Sequence, residues 1–222
     1  MFVSYTRSRF GSVAIVLLGL MAWGSETRAT DESKLPETPW PYAALDVELV
    51  RKLGHWGYYE GGCAYGAFYA LLTPLQDEVG SPYTGVPAHI MTFGRGGIVG
   101  EGDLCGALLG ALAMINLVAD TDHVPLAEAL LAYYREAPLP TDTINKLARE
   151  GKLLVDNDFT GEDIKPTQAV SITCRHSRRE WMRATGHSRR NPARAERCAR
   201  ITGDVAAKAA ELLNQWANEI NK

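Results

Sequence analysis

No Cys-x-x-Cys pair occurs in the 222 residues, and the four cysteines present fall in four separate segments. That spacing excludes the short zinc motifs and the thioredoxin-type motif. The lack of Cys-x-x-Cys-His excludes attachment of a c-type haem. Four cysteines in a chain of this length do not make a small disulfide scaffold, and the chain is long enough to bury a core without such staples. Excess positive charge is missing too. The net charge is -3, and Arg7, Arg9 and Arg28 outnumber Glu26 by two in the first 29 residues, which leaves -5 for the remainder. Such a balance does not point to nucleic acid or to an anionic membrane. The two apolar runs, Ser12–Trp23 and Leu104–Ala119, are both shorter than the roughly 20 residues of a membrane span. There is no His-Glu-x-x-His, no Ser-His-Asp set and no phosphate loop leading from a strand into a helix. The glycine-rich loop Gly94–Gly102 lacks the preceding strand that a dinucleotide site requires.

What is present begins with a leader. Arg7 and Arg9 precede the apolar run, and Thr27-Arg28-Ala29 is a small-x-small cleavage site. Residues 1–29 therefore read as a signal peptide, with export to the periplasm and no membrane span once it is removed. Thr6-Arg7-Ser8-Arg9-Phe10 approaches a twin-arginine signal, but Ser8 separates the arginines, so the reading leans to the ordinary secretory route. Residues 30–42 hold Pro36, Pro39 and Pro41 and predict an extended arm.

Residues 43–222 predict one all-α domain, a helical bundle with glycine-rich loops. Its centre is the stretch Gly94 to Gly106. Asp103 is placed to cap the apolar helix that follows, which puts Cys105 in the first turn, where unpaired N–H groups and the helix dipole favour a thiolate. Gly61-Gly62-Cys63 repeats the arrangement before a second apolar helix. Gly66 and Ala70, like Gly106 and Gly110, are four apart. They give each helix a flat face, and parallel packing of the two faces would bring Cys63 and Cys105 to the same end. Gly62, Gly66 and Gly106 let backbone approach whatever the sulfurs hold.

Elsewhere the pattern predicts a short helix over Ala43–Leu53, followed by the aromatic cluster His55 to Tyr59, which packs over the Cys63 helix. A helix over Pro125–Glu136 should bury Leu126, Ala129, Leu130 and Tyr133. Thr141 or Asp142 caps a short helix to Glu150, and Gly151–Gln168 is irregular. Val170-Ser171-Ile172 is the sole strand-like piece. The last helix opens at Asn191-Pro192 and buries Cys198, Ile201, Val205, Ala209, Leu212 and Trp216.

Spacing alone leaves Cys63, Cys105, Cys174 and Cys198 open to two readings: two disulfides, or an all-thiolate site for zinc or an iron–sulfur cluster. A wider pattern bears on the choice. Gly62-Cys63-Ala64-Tyr65-Gly66, the glycines of Gly94–Gly102 before Leu104-Cys105-Gly106-Ala107, a lone Cys174, and Glu196-Arg197-Cys198-Ala199-Arg200 together resemble the C-GCAxxG-C-C family of redox-active proteins. Its exported branch, which includes the split-Soret cytochromes c, is nearer still, through Asp204-Val205-Ala206-Ala207-Lys208 among others. The glycine after Cys63-Ala64 falls one position earlier than the family pattern has it, and the haem motif is missing. The resemblance implies a 2Fe–2S cluster on the four cysteines and a helical dimer, without the haem chemistry. It implies an electron carrier that serves a redox partner protein rather than a catalyst with its own substrate. A metal-free thiol–disulfide protein and an exported binding domain with two disulfides are the alternatives. His176, two residues beyond Cys174, is a candidate ligand or proton partner. Nine arginines fall between Arg175 and Arg200. Of these, Arg175, Arg178, Arg179, Arg197 and Arg200 are candidates for docking an acidic partner and for balancing an anionic cluster.

Overall fold

In the computed structural model the described residues are 37–220, and the expected signal peptide lies outside them. Among the described residues there are seven α-helices and no strand. They are α1 (Val47–Gly61), α2 (Cys63–Glu78), α3 (Gly106–Ala119), α4 (His123–Glu136), α5 (Asp142–Arg149), α6 (Cys174–Thr185) and α7 (Ala193–Ile220). The all-α expectation holds, and two isolated antiparallel bridges, Leu104 with Thr173 and Leu139 with Thr167, tie the loops together.

The first helix differs from its expected span. Asp46 caps it by accepting from the N–H groups of Glu48 and Leu49, so it starts later than Ala43. It then runs on through His55 to Tyr59, which are its last turns and not a separate cluster. Its glycines do not stop it because they are sites of contact. A Cβ built on Gly57 would sit 2.7 Å from the Cα of Gly66 on α2. Only bare backbone lets the two helices approach this closely. The flat face of Gly66 therefore serves α1.

The two helices that follow glycine–cysteine segments do pack against each other, and in parallel. Gly106 sits against Cys63 and Ala64, and Gly110 against Ala64 and Phe68, so the register climbs in the same direction on both. Residues 79–105 bring the chain back from the far end of α2 so that α3 can start beside Cys63. A Cβ on Gly110 would lie 2.2 Å from the Ala64 carbonyl oxygen and 2.9 Å from the Phe68 nitrogen. We expect Gly110→Ala to lower stability by about 2 kcal/mol in urea denaturation: overpacking of up to ~3 kcal/mol outweighs a helix-propensity gain of ~1 kcal/mol. An unchanged midpoint would mean that α2 and α3 do not pack at this spacing.

The long α7 crosses the bundle and buries Ile201, Val205, Ala209 and Leu212 against α1, α2, α3 and α4. Its start follows the expected cap, with Asn191 Oδ1 accepting from the Ala193 N–H at 2.9 Å. Thr141 caps α5, and its hydroxyl and N–H both donate to buried Asp204 at 2.7 Å, which fastens α5 to α7. The arm at 37–46 is irregular but docked: the Trp40 N–H reaches the Leu117 carbonyl at 3.0 Å, and the Tyr42 hydroxyl donates to Asn214 at 2.6 Å.

Two expectations fail here. On α4 the buried side chains are Leu130 and Tyr134, while Ala129 faces solvent. The strand at Val170–Ile172 does not form. Instead the chain makes one bridge at Thr173 and turns straight into α6, a helix that the sequence reading missed. This helix is polar apart from the narrow buried stripe Cys174, Ser177 and Trp181, too thin to register as amphipathic against so many arginines. Its ends did carry signals: the Thr173 hydroxyl accepts from the His176 N–H, and Gly186 closes it in the left-handed region with φ 73°.

Candidate metal centre

Helix starts position three of the four cysteines. Cys63 is the first residue of α2 and Cys174 the first of α6. Cys105 itself occupies the N-cap of α3, displacing Asp103 from the role expected of it. Asp103 is drawn away because its backbone is engaged elsewhere: its N–H donates to Gly97 and its carbonyl accepts from Cys174 at 2.6 Å. The Arg175 N–H reaches Gly102 at 2.8 Å and the Cys105 N–H reaches Ile172 at 2.9 Å. Residues 102–105 and 172–175 thus lie alongside each other and bring Cys105 and Cys174 together. Cys198 comes from the second turn of α7.

All four cysteines line one small cavity, and all four are free thiols. Cys63, Cys105 and Cys174 are buried, and Cys198 is half-buried. The glycines crowd this place for a reason. A Cβ on Gly106 would lie 2.4 Å from the Cys63 sulfur, and one on Gly97 would lie 2.8 Å from the Cys174 Cβ. Any side chain at either position would invade the cavity wall. Gly62 ends α1 and starts α2 with φ 88°, while Gly66 faces α1 and not the sulfurs.

Burial decides the acidity of Cys63, Cys105 and Cys174. It pushes Cys63 up to about 12, with Cys105 and Cys198 nearby adding to the effect. It pushes Cys105 to about 11, with Cys174 as the next contributor, and Cys174 to about 11, with Cys198 next. The thiolate bias expected from helix N-termini is therefore overturned in the metal-free chain, since desolvation of a charged sulfur outweighs the dipole. A multivalent cation bound at the sulfurs would offset that cost and release the protons of Cys63, Cys105 and Cys174. The sulfurs line the cavity without closing on one point: among the described residues no group of three or more His, Cys, Asp or Glu side chains is drawn together around a single ion.

The wall of the cavity is built for negative charge. Tyr134, Ser177, Arg178 and Arg197 complete it. Tyr134, missed in the sequence, lines the cavity with its hydroxyl beside Cys105 and Ser177. Arg197 is 1% exposed; it donates to Ser177 at 3.0 Å and lies 5.9 Å from the centre of the Trp181 ring. The Nε atoms of Arg178 and Arg197 are buried without a hydrogen-bond partner. Two guanidiniums with unspent donors beside four sulfurs fit an anionic group better than neutral thiols.

Other expected roles change. Arg197 and Arg200 are buried, so neither docks a partner. Arg200 holds Glu196 at 2.6 Å, together with Asn145 and the carbonyls of Glu162 and Phe159. His55 does not merely pack: its Nε2 lies 3.2 Å from both Glu196 oxygens, which also take the Tyr59 hydroxyl and Asn157. His176 is not part of the cavity wall; its side chain is 41% exposed and its Nε2 lies 3.6 Å from Glu180.

A family model described as "Putative redox-active protein (C_GCAxxG_C_C)" matches residues 63–212. The chain is 31% identical over 178 residues to the split-Soret cytochrome c of Desulfovibrio desulfuricans, covering 79% of this chain. It spans only 61% of the length of that relative. A solved structure, described as "A novel iron centre in the split-Soret cytochrome c from Desulfovibrio desulfuricans ATCC 27774", is similar with a TM-score of 0.72 at 29% identity, over 81% of this chain and 72% of the other.

Proposed function

Because the chain belongs to the C_GCAxxG_C_C family, we propose that it is an electron-transfer protein in which Cys63, Cys105, Cys174 and Cys198 hold a 2Fe–2S cluster. The observation that carries this reading is the single cavity lined by four free thiols and by two arginines with unspent buried donors. The iron centre described for the split-Soret cytochrome supports an iron-containing cofactor here. When bound, the cluster supplies one-electron redox chemistry.

The chain's own residues set the conditions for that chemistry. The buried helix starts and the apolar wall keep water from the sulfurs. Arg178 and Arg197 offset the negative charge of the thiolates, and the Tyr134 hydroxyl, beside the Cys105 sulfur, offers it a donor; both effects raise a potential. The metal-free dithiol reading fares worse, since Cys63, Cys105 and Cys174, held up at about 11 to 12 by burial, carry little thiolate at neutral pH and attack disulfides poorly. Two structural disulfides would belong in two places, whereas the four sulfurs share one.

We propose that residues 1–29 act as an export leader and that the protein works in the periplasm. There it would exchange electrons with a redox partner protein, with Arg175 and Arg179 on the exposed side of α6 giving an acidic partner its approach. A homodimer is part of the same proposal. The test is purification without air. We expect two irons per chain and a visible absorption that bleaches on reduction. Protein that is colourless and free of iron under those conditions, yet folded, would sink the proposal.

A further inference from the structure

A second concavity, of about 310 Å³, shares a wall with the cysteine cavity. Arg175, Arg178, Arg179, Arg189 and Arg194 line it, and the one carboxylate among the lining residues belongs to Glu101. Four arginines elsewhere pair with acids: Arg51 with Asp204, Arg149 with Asp163, Arg183 with Glu180, and Arg200 with Glu196. Among the described residues none of the five groove arginines has such an ion pair. Arg175 and Arg194 spend single donors on backbone carbonyls, of Glu101 at 2.5 Å and of Arg189 at 2.8 Å. Arg178 keeps a buried Nε unpartnered. Five like charges drawn into one hollow repel one another, and an anion bound among them relieves that repulsion while filling the open guanidinium forks.

We propose that this groove binds a free multivalent oxyanion of the phosphate, sulfate or small polycarboxylate class. Its volume lies near the lower end for ligand pockets, which suits a compact anion with several oxygens. Arg178 lines both cavities, so occupancy is felt at the sulfurs. Negative charge placed there disfavours adding an electron, so the bound anion lowers the potential of the centre, and the oxidised protein binds the anion more tightly by the same factor. That coupling rests on the iron–sulfur reading; the binding does not.

The test begins with metal-free protein, titrated calorimetrically with inorganic phosphate and with sulfate at constant ionic strength. We expect saturable binding of one anion per chain. Arg179→Gln and Arg189→Gln should each weaken it about tenfold, the loss of one charge-assisted contact. Glu101→Gln should tighten it, and Arg183→Gln, outside the groove, should leave it unchanged. A response that merely follows ionic strength, that survives both arginine changes, or that appears only with an acidic protein overturns the pocket. In iron-loaded protein, saturating sulfate should lower the midpoint potential relative to chloride at equal ionic strength. Binding without that shift overturns the coupling. Failure to load iron leaves the calorimetry intact, so the two readings fail separately.

Discussion

Cys105→Ser should remove or strongly shift the visible absorption of protein purified without air, and serine at Cys63, Cys174 or Cys198 should do the same. Serine offers a hard hydroxyl that rarely ionises where a soft thiolate is needed. The four positions should behave alike because all four sulfurs line one cavity. The altered chains should also melt lower than the loaded wild type. A ligand bound only by the native state adds stability as the logarithm of its occupancy ratio, about 4 kcal/mol at a thousandfold excess over Kd. A dithiol mechanism predicts a different pattern: the cysteines divide into pairs, a serine disables one pair only, and iron never appears. Measuring iron content, absorption and melting temperature for all four variants separates these outcomes. Retention of the wild-type spectrum by any one of them would remove that cysteine from the ligand set.

Loss of the Glu196 carboxylate should be the most destabilising change away from the sulfurs. Glu196 and its partners His55 and Arg200 are almost wholly buried. Glu196→Gln removes the one anion that balances Arg200, and breaking a buried pair from one side costs about 3–5 kcal/mol. Acid should do the same thing reversibly. Burial alone would raise the pKa of Glu196, but His55, Tyr59 and Arg200 overcome that and lower it from 4.5 to about 2. A lowered carboxylate stabilises the fold fully above its unfolded value, and that stability is lost as pH falls from about 4.5 towards 2. The difference corresponds to about 3 kcal/mol. Urea denaturation across that range should show the loss in the wild type and a flatter profile in Glu196→Gln. Equal slopes would mean that the pair does not form in the folded protein.

Local chemistry made much of this molecule readable. The glycine–cysteine starts of α2 and α3 stood out because glycines and an apolar run are visible residue by residue. So did Asn191-Pro192 before α7 and Thr141 before α5, since a cap depends only on neighbours. The same locality explains the failures. Asp103 is as good a cap as Thr141, yet its backbone is committed to Gly97 in the preceding loop and to Cys174, far along the chain. His55 and Glu196 are 141 positions apart, and no periodicity links them. Arginines on α6 and α7 look identical in sequence. The fold buries Arg197 and Arg200 and leaves Arg175 and Arg179 exposed.

The sequence by itself determined that the chain is helical, which segments carry cysteine, and that glycine flanks Cys63 and Cys105, because residue type and spacing suffice for each. Tertiary structure alone decided that the four sulfurs share one cavity, that burial and not the helix dipole sets the acidity of Cys63, Cys105 and Cys174, and which arginines face it. Those properties depend on distance and on exclusion of water, and both arise only when segments far apart in the chain are packed together.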